Sequence, residues 1–387
     1  MLTNNFTAIQ NHFLLEEMEQ LVANGTVSEE QLQMMKHNHP ATKTNNNILV
    51  RIGFFLLGVF LISSVVGFLS LFVAISGGAE GFALISLLMA VGCVMATEIL
   101  FSKNYFAYGL DDASVLGIPL FLAITVGIFS EEEHAVLLVL FLGALYGAVR
   151  YVNVPATFFA ILFMVSFVGF TIVHDKILPS SVLPFVMFGL GLGLFFLQWK
   201  LKSKTPFFIY KNIGLTVEIL SLLLLYASMN YYVVRELSEE LLEITIAKGA
   251  DIPFALLFWM LTFLMPLAYL FFGVKYKNRI FIWCGLGLLG LAFATFRYYH
   301  AVLSIEYACL LGGSILFVLV YISIQKLKDK SSGLTFKEDV QLQPVAFDLV
   351  KTILINANAN IAVPTKPESP MPFCGGGFSG GGSGDNY

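Results

Sequence analysis

Ten apolar stretches, most of them 17 to 25 residues long and rich in Phe, Leu, Val and Gly, follow one another from about Ile52 to Ile324, parted by brief polar clusters. A hydrocarbon core roughly 30 Å thick is crossed by about 20 helical residues at about 1.5 Å rise each. A soluble core has no use for ten such elements in series. The chain therefore reads as an all-α, polytopic bundle of about ten transmembrane helices. Composition agrees: 57% of residues are hydrophobic and 12% charged, against about 25% charged in a soluble domain.

Spans are predicted at residues 52–75, 81–101, 114–129, 135–148, 155–173, 182–199, 207–233, 252–274, 280–296 and 302–324, the third and fourth being short. The first 47 residues are polar, so no cleavable signal peptide is expected and the first span must serve as its own insertion signal. Basic residues resist translocation and mark the cytoplasmic side. With the N-terminus inside, the inner ends hold Lys36, Lys43, Arg51, Lys103, Arg150, Lys200, Lys202, Lys204, Lys275, Lys277, Arg279, Lys326, Lys328 and Lys330. The other side holds only Lys176, Arg235, Lys248 and Arg297. Both termini are thus expected in the cytoplasm. The net charge of −4 argues against a nucleic-acid partner. Cys93, Cys284 and Cys309 lie in apolar stretches and Cys374 in a glycine tail, with no CxxC pair, so all are read as reduced.

Four regions result: a cytoplasmic hairpin and linker (1–47), the transmembrane domain (48–326), a cytoplasmic segment with one short helix (327–363) and a flexible Pro/Gly-rich tail (364–387). In the first, Phe13, Leu14, Met18, Leu21 and Val22 share one helix face, and Asn24-Gly25 breaks the chain. Ser28 and Gln31 then have capping-box spacing, with Glu29 and Glu30 at the positive end of the helix dipole. Leu32, Met35 and Met34 are candidates to close the hairpin. Two helices this short bury too little to stand alone, so residues 5–40 are expected to rest on a cytoplasmic partner, a second copy or the membrane face.

The run Leu14-Leu15-Glu16-Glu17-Met18-Glu19-Gln20-Leu21-Val22-Ala23-Asn24-Gly25-Thr26-Val27-Ser28-Glu29-Glu30-Gln31, with the first span's Gly53-Phe54-Phe55-Leu56-Leu57-Gly58, resembles the start of the DUF2157 family of bacterial membrane proteins. The likeness covers residues 14–75 and departs from the family in lacking a Trp soon after the first span. It implies a bacterial inner-membrane location. That family has no established reaction, so no functional residue carries over.

No motif specifies chemistry. Gly285-Leu286-Gly287-Leu288-Leu289-Gly290 fits GxGxxG but falls inside a predicted span, where small residues serve close helix packing. Gly189, Gly191, Gly193, Gly143 and Gly147 are read the same way. Gly377-Phe378-Ser379-Gly380-Gly381 fits GxSxG without the strand and helix a nucleophile elbow needs. Of six histidines, His12, His37 and His39 lie in the N-terminal region and His134, His174 and His300 near outer span ends, with no metal-site spacing. No catalytic residue, cofactor or metal is expected.

Ionisable groups at membrane depth have the strongest physical claim to function, because burying a charge there costs at least about 2.5 kcal/mol. Glu218 is the deepest, and Lys211 lies two turns before it on the same face. A structural ion pair and a proton or solute pathway both fit. Glu98 and Glu306 are nearer span ends and are read as snorkelling. Asp111 and Asp112 are expected to stay in water. Arg297, Tyr298, Tyr299 and His300 form an outer aromatic and basic rim. Residues 233–248 alternate apolar and acidic positions, which suits either an interfacial helix or a long loop. Two classes follow: a membrane scaffold or sensor acting through its hairpin, and a small-solute or proton-coupled transporter using Glu218 and Lys211. The transporter should show repeats, and the halves show no convincing one.

Overall fold

The structure, a computed structural model, describes residues 6–23, 27–39, 41–45, 47–76, 78–130, 132–202, 209–242, 251–300 and 305–327. The predicted tail helix near Phe347, the Pro/Gly tail and the GxSxG segment lie outside these residues. The elements are α1 (Phe6–Ala23), α2 (Glu29–Asn38), α3 (Ile48–Ser76), α4 (Gly78–Ser102), α5 (Leu110–Ser130), α6 (Glu133–Tyr151), α7 (Val154–His174), α8 (Leu183–Lys202), α9 (Lys211–Met229), α10 (Tyr231–Leu242), α11 (Ala255–Lys275), α12 (Arg279–Tyr299) and α13 (Ile305–Leu327). Among the described residues, nine helices, α3 to α9 with α11 and α12, are long and apolar enough to cross a membrane. The 23-residue α13 occupies the tenth predicted stretch. The protein is a multi-pass helical membrane protein.

Two boundaries differ from expectation for physical reasons. The short third and fourth stretches are helices of 21 and 19 residues; in the third, Asp111 and Asp112 at the start are buried against protein and continue the helix. The seventh stretch is cut at Asn230, whose extended backbone (φ −75°, ψ 126°) ends α9. Its side-chain oxygen accepts from the Val233 N–H at 3.2 Å and so caps α10. Residues 231–242 are therefore a separate helix; residues 243–250 lie outside the described set.

The N-terminal hairpin forms as expected, except that Phe13 does not join its inner face. Ser28 Oγ accepts from the Gln31 N–H at 3.3 Å, and Gln31 Oε1 from the Ser28 N–H at 3.1 Å. Leu14, Leu15, Met18, Leu21, Val27, Leu32 and Met35 make its own core, while Met34 is exposed. Ile9 and Phe13 point the other way, into one cluster with Phe101, Phe106, Tyr151, Val152 and Ile209 of the bundle. One side of the hairpin is thus seated on its own chain. An isolated bridge between Lys43 and Tyr105 ties the linker to the α4–α5 connection.

The spans group around two hubs, α5 among α3, α4, α6 and α7, and α9 among α7, α8, α11 and α12. The groups α4–α7 and α8–α12, leaving out the short α10, share several local features. Each has a tight connection into its last span with the pattern Val-(Arg/Lys)-Tyr-x-Asn, Val149 to Asn153 and Val274 to Asn278. The x residue is left-handed in both, Val152 at φ 52° and Lys277 at φ 52°, and the asparagine caps the helix that follows. Each last span also ends on Phe-x-x-x-His, Phe170 to His174 and Phe296 to His300.

The glycine reading is half right. A Cβ at Gly143 would stand 2.9 Å from Pro119 Cβ and 3.0 Å from its Cα, and one at Gly147 2.7 Å from Val115 Cγ1, so both let α6 approach α5 closely. Gly191 and Gly285 likewise face Leu225 and Leu270. A Cβ at Gly189, Gly193, Gly287 or Gly290 would meet nothing within 4 Å, which leaves these positions outside the helix contacts. Gly143→Ala should therefore lower thermal stability of the detergent-solubilised protein by about 1–3 kcal/mol through overpacking. Gly290→Ala should be neutral or slightly stabilising.

Candidate functional site: two buried carboxylate clasps

α5 begins with two acids inside the protein. Asp111 and Asp112 are 2% and 3% exposed, which corrects the expectation that they stay in water. Gly109, at φ 112°, makes the turn possible: a Cβ there would lie 2.3 Å from the Arg51 carbonyl oxygen. The N–H groups of Tyr108 and Gly109 then donate to Asp111 Oδ1 at 2.9 and 2.8 Å. Asp112 takes a forked guanidinium from the first turn of α3, Arg51 Nε to Oδ2 at 2.7 Å and Nη2 to Oδ1 at 2.9 Å. Asn153 Nδ2 donates to the same Oδ1 at 2.7 Å, while Asn153 Oδ1 accepts from the Ala156 N–H at 2.8 Å. One carboxylate thus holds α3, α5 and the start of α7.

The second group repeats the device. Glu218, 5% exposed on α9, accepts at Oε1 from Asn278 Nδ2 at 2.7 Å. Asn278 Oδ1 accepts from the Ile280 N–H at 2.9 Å and caps α12. The cation is Lys202 at the end of α8, its Nζ 3.7 Å from Glu218 Oε2, a longer and single contact. Oε2 itself is buried without a hydrogen bond. A full fork and a loose cation therefore distinguish the two clasps: the first has both carboxylate oxygens hydrogen-bonded, whereas the second leaves one oxygen with no hydrogen bond among the described residues.

The sequence candidates are not gathered in one place. Glu218 is paired with Lys202 and Asn278, not with Lys211, which is the first residue of α9. Its partners at the end of α8 and the start of α12 put it toward the hairpin end of the bundle instead of the midplane. Glu98 is no snorkelling charge: its Oε1 accepts from Arg150 Nε and Nη2 at 2.9 and 2.6 Å and from Tyr151 Oη at 3.0 Å, joining α4 to α6. Glu306 is exposed on the first turn of α13 at the opposite end. Sequence reasoning missed Arg51, Asp112, Asn153, Lys202 and Asn278. The shared Tyr-x-Asn pattern ahead of two spans was the signal that could have found both asparagines.

At the end opposite the hairpin, α10 is pinned to the rim. Tyr231 stacks on Trp259 with centroids 4.4 Å apart. Its hydroxyl donates to Asp251 Oδ1 at 2.5 Å and accepts from Arg235 Nη1 at 2.8 Å. Tyr299 Oη donates to Glu236 Oε1 at 3.0 Å. The expected aromatic rim is present as packing. The histidines also need correction: His134 opens α6, His174 closes α7, and the antiparallel pair brings them within 5.4 Å, with Asp175 between their ring nitrogens.

No family model matches the chain, and no curated protein or solved structure matches it either. Asp112→Ala should cost about 1.5–3 kcal/mol, because it leaves the part-buried Arg51 guanidinium and the buried Asn153 amide without their acceptor. Glu218→Gln keeps an acceptor for Asn278 and should cost under about 1.5 kcal/mol. Thermal unfolding of both variants in one detergent checks the order; equal losses would contradict the distinction between the clasps.

Proposed function

We propose that the protein is a bacterial inner-membrane scaffold or sensor, both termini cytoplasmic, that engages a cytoplasmic partner or a second copy of itself through residues 5–40. The basic bias of the hairpin end supports this orientation, and the likeness of residues 14–75 to the DUF2157 family supports the location. The seating of the hairpin carries the reading. His12 meets Phe106 edge-on at 6.0 Å, and Phe106 belongs to the same connection whose Tyr108 and Gly109 hold Asp111. The first clasp and the hairpin thus meet at one short connection. On its surface, a hollow of about 610 Å³ is lined by His12, Leu15, Glu16, Glu19, Lys36 and Thr44, polar enough for a protein segment and open to solvent.

The test is the complex the protein forms. Full-length protein solubilised from its own membranes should run as a larger assembly, and Glu16→Lys with Glu19→Lys should release it to a monomer. Wild type already monomeric under gentle solubilisation would sink the reading. The second reading, a carrier, is favoured by one observation, the buried Oε2 of Glu218 without a hydrogen bond; two similar span groups suit it as parallel repeats. Proton-linked flux in vesicles that Glu218→Gln abolishes would establish the carrier in its place.

Acid should loosen the hairpin. Burial holds the His12 imidazole below its usual value, against the raising effect of Glu16 and Glu19. An undocked hairpin therefore binds more protons near pH 6 than the docked one, so docking is full above about pH 6.5 and weakens as pH falls. Hydrogen exchange in α1, corrected for intrinsic rates, should be faster at pH 5 than at pH 7.5. His12→Gln should flatten that dependence.

A further inference from the structure

We propose that His134, His174 and Asp175 form a binding site for a late first-row divalent cation, with zinc as the reference ion, at the end of the bundle opposite the hairpin. One donor atom from each of the three lies within 4.8 Å of the others. Asp175 Oδ2 is 3.1 Å from His134 Nε2 and Asp175 Oδ1 is 3.0 Å from His174 Nδ1. Ligands on one tetrahedral ion with bonds near 2 Å stand about 3.3 Å apart; each carboxylate oxygen is already that close to one ring nitrogen, and a closure of about 1.5 Å among the three side chains brings one oxygen and both nitrogens onto a single ion.

The rings are held rather than loose. Phe170 stacks on His174 with centroids 5.0 Å apart and planes 13° apart, and meets His134 edge-on at 4.8 Å. His134 Nε2 is buried without a well-directed hydrogen bond, which is the condition of a donor nitrogen awaiting a ligand. Two imidazole nitrogens and one carboxylate suit zinc, cobalt, nickel or copper and not calcium or magnesium, which prefer oxygen shells. Three protein ligands leave a fourth position for water, and Glu132 and Glu133 precede His134 at the same helix start. The C-terminal end of α7 adds its negative dipole.

The matching place in the second group shows what the first one adds. There the Phe-x-x-x-His ends on His300, whose ring packs against Trp259 with centroids 5.3 Å apart. A tryptophan stands where the first group offers a ligating histidine, so the ligand set belongs to the first group alone.

Full-length protein carrying an affinity tag without histidine, in detergent micelles, tests the site by zinc competition against a chromophoric chelator and by cobalt absorption. One equivalent should bind, with visible cobalt bands of nitrogen and oxygen coordination. His134→Gln and Asp175→Asn should each weaken binding at least tenfold while size-exclusion profiles stay unchanged; His37→Gln with His39→Gln should bind as wild type does. Equal binding by wild type and by His134→Gln with His174→Gln would overturn the proposal, as would loss of the equivalent in the His37/His39 variant alone.

Discussion

A carboxylate inside an apolar bundle must find hydrogen bonds and a cation from neighbouring helices, because lipid offers neither. Asp112 and Glu218 do this in the same manner, each through an asparagine that also caps a later span. The asparagine must satisfy the N-terminus of its own helix with its oxygen, so its amide nitrogen is left aimed at the hub. That single geometry fixes which spans are neighbours. Around it, glycines at Gly143 and Gly285 permit close approach, and serine and threonine hydroxyls return to backbone carbonyls, as in Thr97 to Cys93 and Ser86 to Phe121.

Two similar groups with unequal clasps divide the labour. In the first, a forked arginine ties α3 down, the hairpin rests on the adjoining connections, and two histidines meet an aspartate at the far end. The second has a looser lysine, a carboxylate oxygen without a hydrogen bond, and an aromatic rim under α10.

Much of this was legible before any coordinates. Hydropathy alone located ten helices, since twenty apolar residues have one use, and the Ser28 to Gln31 spacing announced the hairpin's second helix. Composition misled at Asp111 and Asp112, because an acidic pair beside a short apolar run looks like a loop until Arg51, distant in sequence, is seen to cover it. The partner of Glu218 was misjudged because same-helix spacing pointed to Lys211, whereas the real partners come from other helices. His134 and His174 stand at opposite ends of an antiparallel pair, a meeting that sequence spacing hides and topology reveals. The features shared by the two span groups escaped notice because they lie in a few connection and span-end residues, while the apolar sequence between carries no likeness.

The central claim is that each asparagine acts on its carboxylate across the bundle and not only as a helix cap. Double-mutant cycles on the purified protein measure this directly, pairing Asn153→Ala with Asp112→Ala and Asn278→Ala with Glu218→Ala in thermal or denaturant unfolding. The account predicts coupling of about 1 kcal/mol or more in both cycles. Strict additivity in both would show that the spans are held by something else.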